Sequence, residues 1–179
     1  RAEWMKFYGL LYGREREADS LFAVVEKNYQ ALSEKANQSK ITRSVLPDRK
    51  VGPVWYLPGG ESSVGLLYKD AHGMYAYAKD KHSGSLSMPF ETVLDKFVQS
   101  DFWILSYRGD FNRAKLLAEF QGYSMLKPCR TGEIYGCKVD SIPYFEEVSW
   151  RPDWLLSDLI QLFHPDLHIA PMRYYHKLK

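Results

Sequence analysis

The sequence predicts an α/β fold, a three-layer αβα lobe with a mainly parallel sheet, preceded by a long helical segment. Three observations carry this. From residue 41 onward, short apolar runs alternate with helical stretches, the pattern of parallel strands joined by crossover helices. Residues 1–37 keep a helical apolar period with charges on the opposite face. No apolar run reaches the roughly 20 residues that a bilayer span needs. The expected division is a helical connecting segment at 1–37 and an α/β lobe at 38–179.

Trp4, Phe7, Tyr8 and Leu11 recur at helical spacing, weakened by Gly9 and Gly13. Ala18, Leu21, Phe22, Val25, Tyr29 and Leu32 then form a stripe suited to lying on other elements. Ile41–Leu46 reads as a poor strand and Val54–Leu57 as a better one, closed by Pro58-Gly59-Gly60. Ser62–Lys69 reads as a helix and Met74–Ala78 as a strand. Pro89–Val98 is helical, with Pro89 and Glu91 suited to a first turn. Phe102–Ser106 is a continuous apolar run, as in a strand covered on both faces. Phe111–Phe120 is helical, Glu133–Cys137 extended, and Asp153–Phe163 a final helix between Pro152 and Pro165.

The chain of 179 residues carries 24 Lys+Arg against 22 Asp+Glu, a net charge of +2. So small and dispersed an excess argues against nucleic acid or an anionic membrane as partner. Thirteen Tyr and five Trp exceed the needs of one core, which points to a ligand- or partner-facing surface. Cys129 and Cys137 are two free thiols or a disulfide. An extended Glu133–Cys137 carries them beyond the roughly 7 Å limit for a disulfide unless the chain doubles back at Gly132.

In a parallel α/β sheet, ligands sit beyond the carboxyl ends of the strands. The loops expected there are Pro58–Ser62, Asp80–Ser87, Tyr107–Phe111 and Lys138–Arg151. Pro58-Gly59-Gly60-Glu61-Ser62 has the look of a phosphate cradle but lacks the lysine and hydroxyl spacing of a P-loop, and fits a tight turn better. His164 and His168 are four apart, yet Pro165 between them ends the helix, so no metal site is expected. There is no GxSxG elbow. Glu146 and Glu147 lie in an aromatic stretch, Tyr144–Trp150, that reads as a loop and as a binding wall. An α/β enzyme domain using one of these two carboxylates as acid/base is the alternative reading.

Several stretches together resemble the helical-backbone class of ABC-importer substrate-binding proteins, which carry siderophore iron, haem or cobalamin. They are Arg1-Ala2-Glu3-Trp4, Trp55–Ser62, Ser83-Gly84-Ser85 followed by Pro89–Leu94, and Phe163–Leu167 with the closing Tyr174-Tyr175. The resemblance implies two lobes joined by a long helix, of which this chain supplies the connecting segment and the C-terminal lobe. The family's N-terminal lobe is then expected upstream of Arg1. It implies a non-enzymatic protein outside the cytoplasm, lipid-anchored in its full length, without a cofactor. Its ligand would be a metal chelate, haem or a corrinoid, and its partner an ABC permease. Glu91 falls where the family places a glutamate that docks the permease. Trp55, Tyr56, Arg108, Tyr144, Phe145 and Trp150 lie in or near the loops at the expected strand ends and are the expected ligand-facing set. Where some members place a cleft tryptophan, this chain has the region of Ser85.

Overall fold

The computed structural model describes residues 2–179. The helical segment is two helices, α1 (Trp4–Leu11) and α2 (Glu15–Ala36), broken at Tyr12-Gly13-Arg14. The lobe follows as β1 (Val45–Pro47), β2 (Lys50–Val51), β3 (Val54–Pro58), α3 (Ser63–Asp70), β4 (Ser85–Met88), α4 (Phe90–Phe97) and β5 (Phe102–Tyr107). It continues through α5 (Arg113–Glu119), a short 3-10 turn at Gln121–Met125, α6 (Lys127–Thr131), β6 (Ile134–Lys138), α7 (Tyr144–Trp150), α8 (Pro152–Phe163) and β7 (Tyr175–Lys177).

The main sheet has the order β1-β5-β6-β7, with the first three strands parallel and β7 antiparallel to β6. Phe102 to Leu105 are all buried, as the unbroken apolar run requires. Their side chains alternate between two covered faces. Phe102 meets Phe163 of α8 at 5.2 Å on one side. Trp103 meets Tyr123 at 5.0 Å and Trp55 at 5.7 Å on the other.

Four expectations need correction. Val54–Leu57 is a strand, but of a separate antiparallel sheet ordered β2-β3-β4. Its side chains alternate inward at Trp55 and outward at Tyr56, the signature of a half-covered strand. Met74–Ala78 is not a strand: Met74 makes one bridge to Ser44 and the chain then turns. Tyr144–Trp150 is a helix rather than a loop, with Pro143 before it and Glu146 and Glu147 in its first turn. On α2, Ala18 and Val25 are buried, but Leu21 is 63% exposed.

The Pro58–Ser62 turn is held by neighbouring backbone. A Cβ on Gly59 or Gly60 would collide with the carbonyl oxygens of residues 77–84. Gly59 and Glu61 donate their N–H groups to Gly84 and His82 O at 2.8 and 3.2 Å. Those donors are committed to the protein itself, so the turn reading stands over the phosphate one. Ser62 then caps α3 by accepting from the Gly65 N–H at 3.1 Å.

Three polar staples tie the elements together. The Asp158 carboxylate on α8 accepts backbone N–H groups from Arg173, Tyr174 and Tyr175 at 2.7–3.1 Å, which fixes the approach to β7. Burial pushes that carboxyl above its ordinary range, and the three N–H groups oppose the shift. Glu133 joins Arg43 at 2.6 Å and Lys177 at 2.5 Å. His164, buried at the end of α8, reaches Ile41 O at 2.6 Å and Ala71 O at 2.7 Å. Cys129 and Cys137 are free, buried thiols, pushed up to about 11 and about 12 by desolvation.

Candidate functional site

The carboxyl ends of the parallel strands lie at Pro47, Tyr107 and Lys138, and the loops after them form the candidate surface. Those loops are braced internally. Val139 N–H donates to Tyr107 O at 3.0 Å, and Gly109 N–H donates to Asp140 Oδ2 at 2.7 Å. The Gly109 bond holds the Asp140 carboxyl below the usual range, with Lys138 and Arg108 adding to the shift. Lys115 holds Asp110 in the same way across 2.5 Å. Arg49 pairs with Glu119 at 2.5 Å and lies over the Phe111 ring at 4.7 Å.

With those carboxylates engaged, Arg108 and Lys138 have no ion-pair partner within 4 Å among the described residues. They sit at the ends of adjacent strands, because Tyr107 pairs with Lys138. After the end of β1, a cavity of about 410 Å³ is lined by Arg49, Lys50, Val51, Gly52, Glu119, Phe120 and Tyr123. Asp48, at the end of β1, has a left-handed backbone (φ 58°) and is exposed. Tyr107 stacks on Phe111 at 5.3 Å, and its hydroxyl meets His176 Nε2 at 2.7 Å. Its ring crosses β6 at Gly136, where a Cβ would lie 2.7 Å from it. The surface thus offers guanidinium, ammonium and aromatic groups to a polar or anionic ligand.

Of the expected ligand-facing residues, the structure places Arg108 here. Trp55 is fully buried, stacked on Phe90 at 6.5 Å, with its Nε1 donating to Pro47 O at 2.9 Å; it is core. Tyr56 is 46% exposed on the outer face of the small sheet, opposite Ser87. Tyr144 is half-buried against Tyr174 at 5.2 Å, and desolvation pushes its hydroxyl up to about 12. Phe145 is exposed beside it. Trp150 faces elsewhere, meeting Tyr8 of α1 at 5.7 Å. Lys138 and the hairpin at 50–54 were missed; strand-end placement was the signal for Lys138.

The aromatic helix α7 does not pair two carboxylates for acid/base work. Glu147 takes a bidentate Arg173 at 2.8 and 3.0 Å and the Tyr174 hydroxyl at 3.1 Å, and the Arg173 bonds hold its carboxyl low. Glu146 is exposed one residue away. Among the described residues, no group of three His, Cys, Asp or Glu side chains could hold a metal ion. Glu91 stands exposed in the first turn of α4.

A second feature is apolar. Helix α1 exposes Trp4, Phe7, Leu10 and Leu11, Tyr12 is exposed just after it, and α1 packs on α2. A groove of about 570 Å³ runs beside it, lined by Met5, Tyr8, Tyr12, Leu21, Val24, Trp150 and a few others.

Comparison with solved structures identifies this architecture. A periplasmic haem-binding protein from Pseudomonas aeruginosa superposes with a TM-score of 0.70 at 14% identity, over 99% of this chain and 64% of its own. The chain has the fold of the periplasmic binding proteins. An ABC-type Fe3+-hydroxamate transport protein from Saccharomonospora viridis gives 0.69 at 19% identity, over 90% of this chain and 54% of its own. IsdE of S. aureus, complexed with haem, gives 0.68 at 20% identity, over 90% and 63%. No family model matches the sequence. An uncharacterized lipoprotein of Methanocaldococcus jannaschii is 25% identical over 174 residues, which is 93% of this chain and 39% of the lipoprotein. The chain therefore spans well under half of that relative and somewhat over half of the solved binding proteins. Within the binding-protein fold, the surface at the strand ends is the one that parallel α/β sheets use for ligands.

Proposed function

We propose that this chain is part of the substrate-binding component of an ABC importer, acting outside the cytoplasm on a metal chelate, haem or corrinoid. The observation that carries the reading is the binding-protein fold combined with a braced strand-end surface on which Arg108 and Lys138 stand without ion-pair partners. Residues 38–179 would form one wall of a ligand cleft, residues 1–37 would connect it to a second lobe in a longer polypeptide, and that polypeptide would be lipid-anchored. The proteins named above for haem and Fe3+-hydroxamate, and the lipoprotein relative, support this cargo class and location.

Arg108 supplies a guanidinium suited to the carboxylates or the net negative charge of a chelate. Phe145 and Tyr144 would add aromatic contact at the edge. Glu91 would meet a basic residue of the permease, since an exposed first-turn carboxylate gains from charge complementarity across an interface.

Titration of the two-lobe, full-length polypeptide with ferric hydroxamate, ferric citrate, haem and cobalamin tests the reading, followed by absorbance and calorimetry. One of these should bind stoichiometrically and without turnover, and Arg108→Gln should weaken an anionic ligand about tenfold, the loss of about 1.4 kcal/mol. Failure of every compound to bind, or catalytic conversion of one, would overturn it.

A further inference from the structure

His164 ends α8 and is 1% exposed. Its Nδ1 lies 2.6 Å from Ile41 O and its Nε2 lies 2.7 Å from Ala71 O. Both neighbours are carbonyl oxygens, which only accept. A neutral imidazole has one N–H, so one of the two contacts would set a nitrogen lone pair against an oxygen lone pair at hydrogen-bond distance. Only the doubly protonated ring donates to both.

The surroundings favour a cation. Ala71 follows α3 at its carboxyl end, where the helix dipole is negative. Ile41 N–H donates to Ser39 Oγ, while that hydroxyl lies 2.7 Å from both Asp166 Oδ1 and Ile41 O. Its single hydrogen suits the carboxylate, which leaves Ile41 O to the imidazole. Ser39 holds the Asp166 carboxyl low, and His164 contributes to that shift. The other charged or titratable groups nearby are engaged or exposed: Arg43 is on Glu133, Asp70 accepts from Tyr29, and Lys40 and His72 are exposed.

The position has mechanical weight. Residues 37–44 join α2 to β1, and their ties run to the end of α8: Arg43 N–H to Phe163 O, Arg43 Nη1 to Leu162 O, and Ile41 O to His164. We propose that His164 is held as an imidazolium that fastens the α2–β1 connection to α3 and α8, and that loss of its proton loosens this connection. The device stands whether or not the cargo reading holds.

Nitrogen NMR on 15N-histidine-labelled protein tests the protonation directly. At about pH 6.5, both ring nitrogens of His164 should carry hydrogen, with the signals of exposed His72 and His168 as internal references. A single tautomer with one bare nitrogen, persisting down to about pH 5.5, would overturn the proposal. Hydrogen exchange then reads the latch. From about pH 5.5 to about pH 8.5, protection of the Arg43 amide, relative to the Trp103 amide in the sheet, should fall about tenfold, the scale of one charge-assisted bond. In His164→Gln it should stay flat at the lower level. Equal pH dependence in both proteins would also overturn the proposal. If the Gln variant does not fold, the ring signals and exchange of the wild-type chain decide.

Discussion

Replacing Asp158 with Ala removes the acceptor for three backbone N–H groups at once, from Arg173, Tyr174 and Tyr175. Arg173 is exposed and water can take over its N–H, whereas Tyr174 is 2% exposed and Tyr175 is half-buried. Two donors are then left without a partner, at about 1–3 kcal/mol each. The expected loss is roughly 2–6 kcal/mol, a large share of a typical total of about 5–15 kcal/mol. Asp158→Asn keeps one acceptor oxygen with two lone pairs and should lose about half as much. Urea denaturation followed by circular dichroism measures both, and hydrogen exchange at residues 175–177 should show β7 detaching first. An Ala variant within about 0.5 kcal/mol of wild type would refute the staple, because ordinary surface changes fall in that range.

Trp55→Ala should cost about 3–5 kcal/mol in stability, as truncation of a buried aromatic does, and leave ligand affinity unchanged at temperatures where the variant is folded; loss of binding in a stable variant would return Trp55 to the ligand surface. For Glu133, burial raises the carboxyl, but bonds from Lys177, Arg43 and Tyr135 win and lower it below 4.5. Its stabilisation is therefore present above the unfolded value and lost as pH falls through the lower folded value. The acid limb of the stability profile should flatten in Glu133→Gln, and an unchanged limb would count against the cluster. Glu91→Lys in the full transport system should abolish uptake in reconstituted vesicles while ligand affinity holds and stability changes by a fraction of a kcal/mol. Normal uptake would reduce Glu91 to a helix-dipole partner.

Much of the lobe was legible because burial on both faces writes itself plainly. Phe102–Ser106 has the length and unbroken apolar character of a covered strand, and the α8 stretch between Pro152 and Pro165 was bounded by residues that cannot continue a helix. Val54–Leu57 misled because four apolar residues read alike in a parallel core and in a half-covered hairpin. The exposed 46% of Tyr56 beside fully buried Trp55 is a matter of phase, which the residue types alone do not carry. Helix α7 was masked by its aromatic content, although Pro143 and two first-turn glutamates marked its start. For the candidate site, Arg108 was readable from its place after a clear strand. Lys138 was not singled out because its freedom depends on Asp140 being held by Gly109, a contact made across two loops.

The turn at Gly59-Gly60 has a dynamic consequence. It lies so close to the 77–84 stretch that main chain rests on main chain, with no side chain between to act as a flexible spacer. A displacement at one loop must be transmitted to the other almost undiminished, because there is no rotamer to absorb it. The start of α3, the residues around His82 and the first residue of β4 should accordingly respond as one rigid body when any of them is pushed, and fluctuations measured along these segments should rise and fall in step.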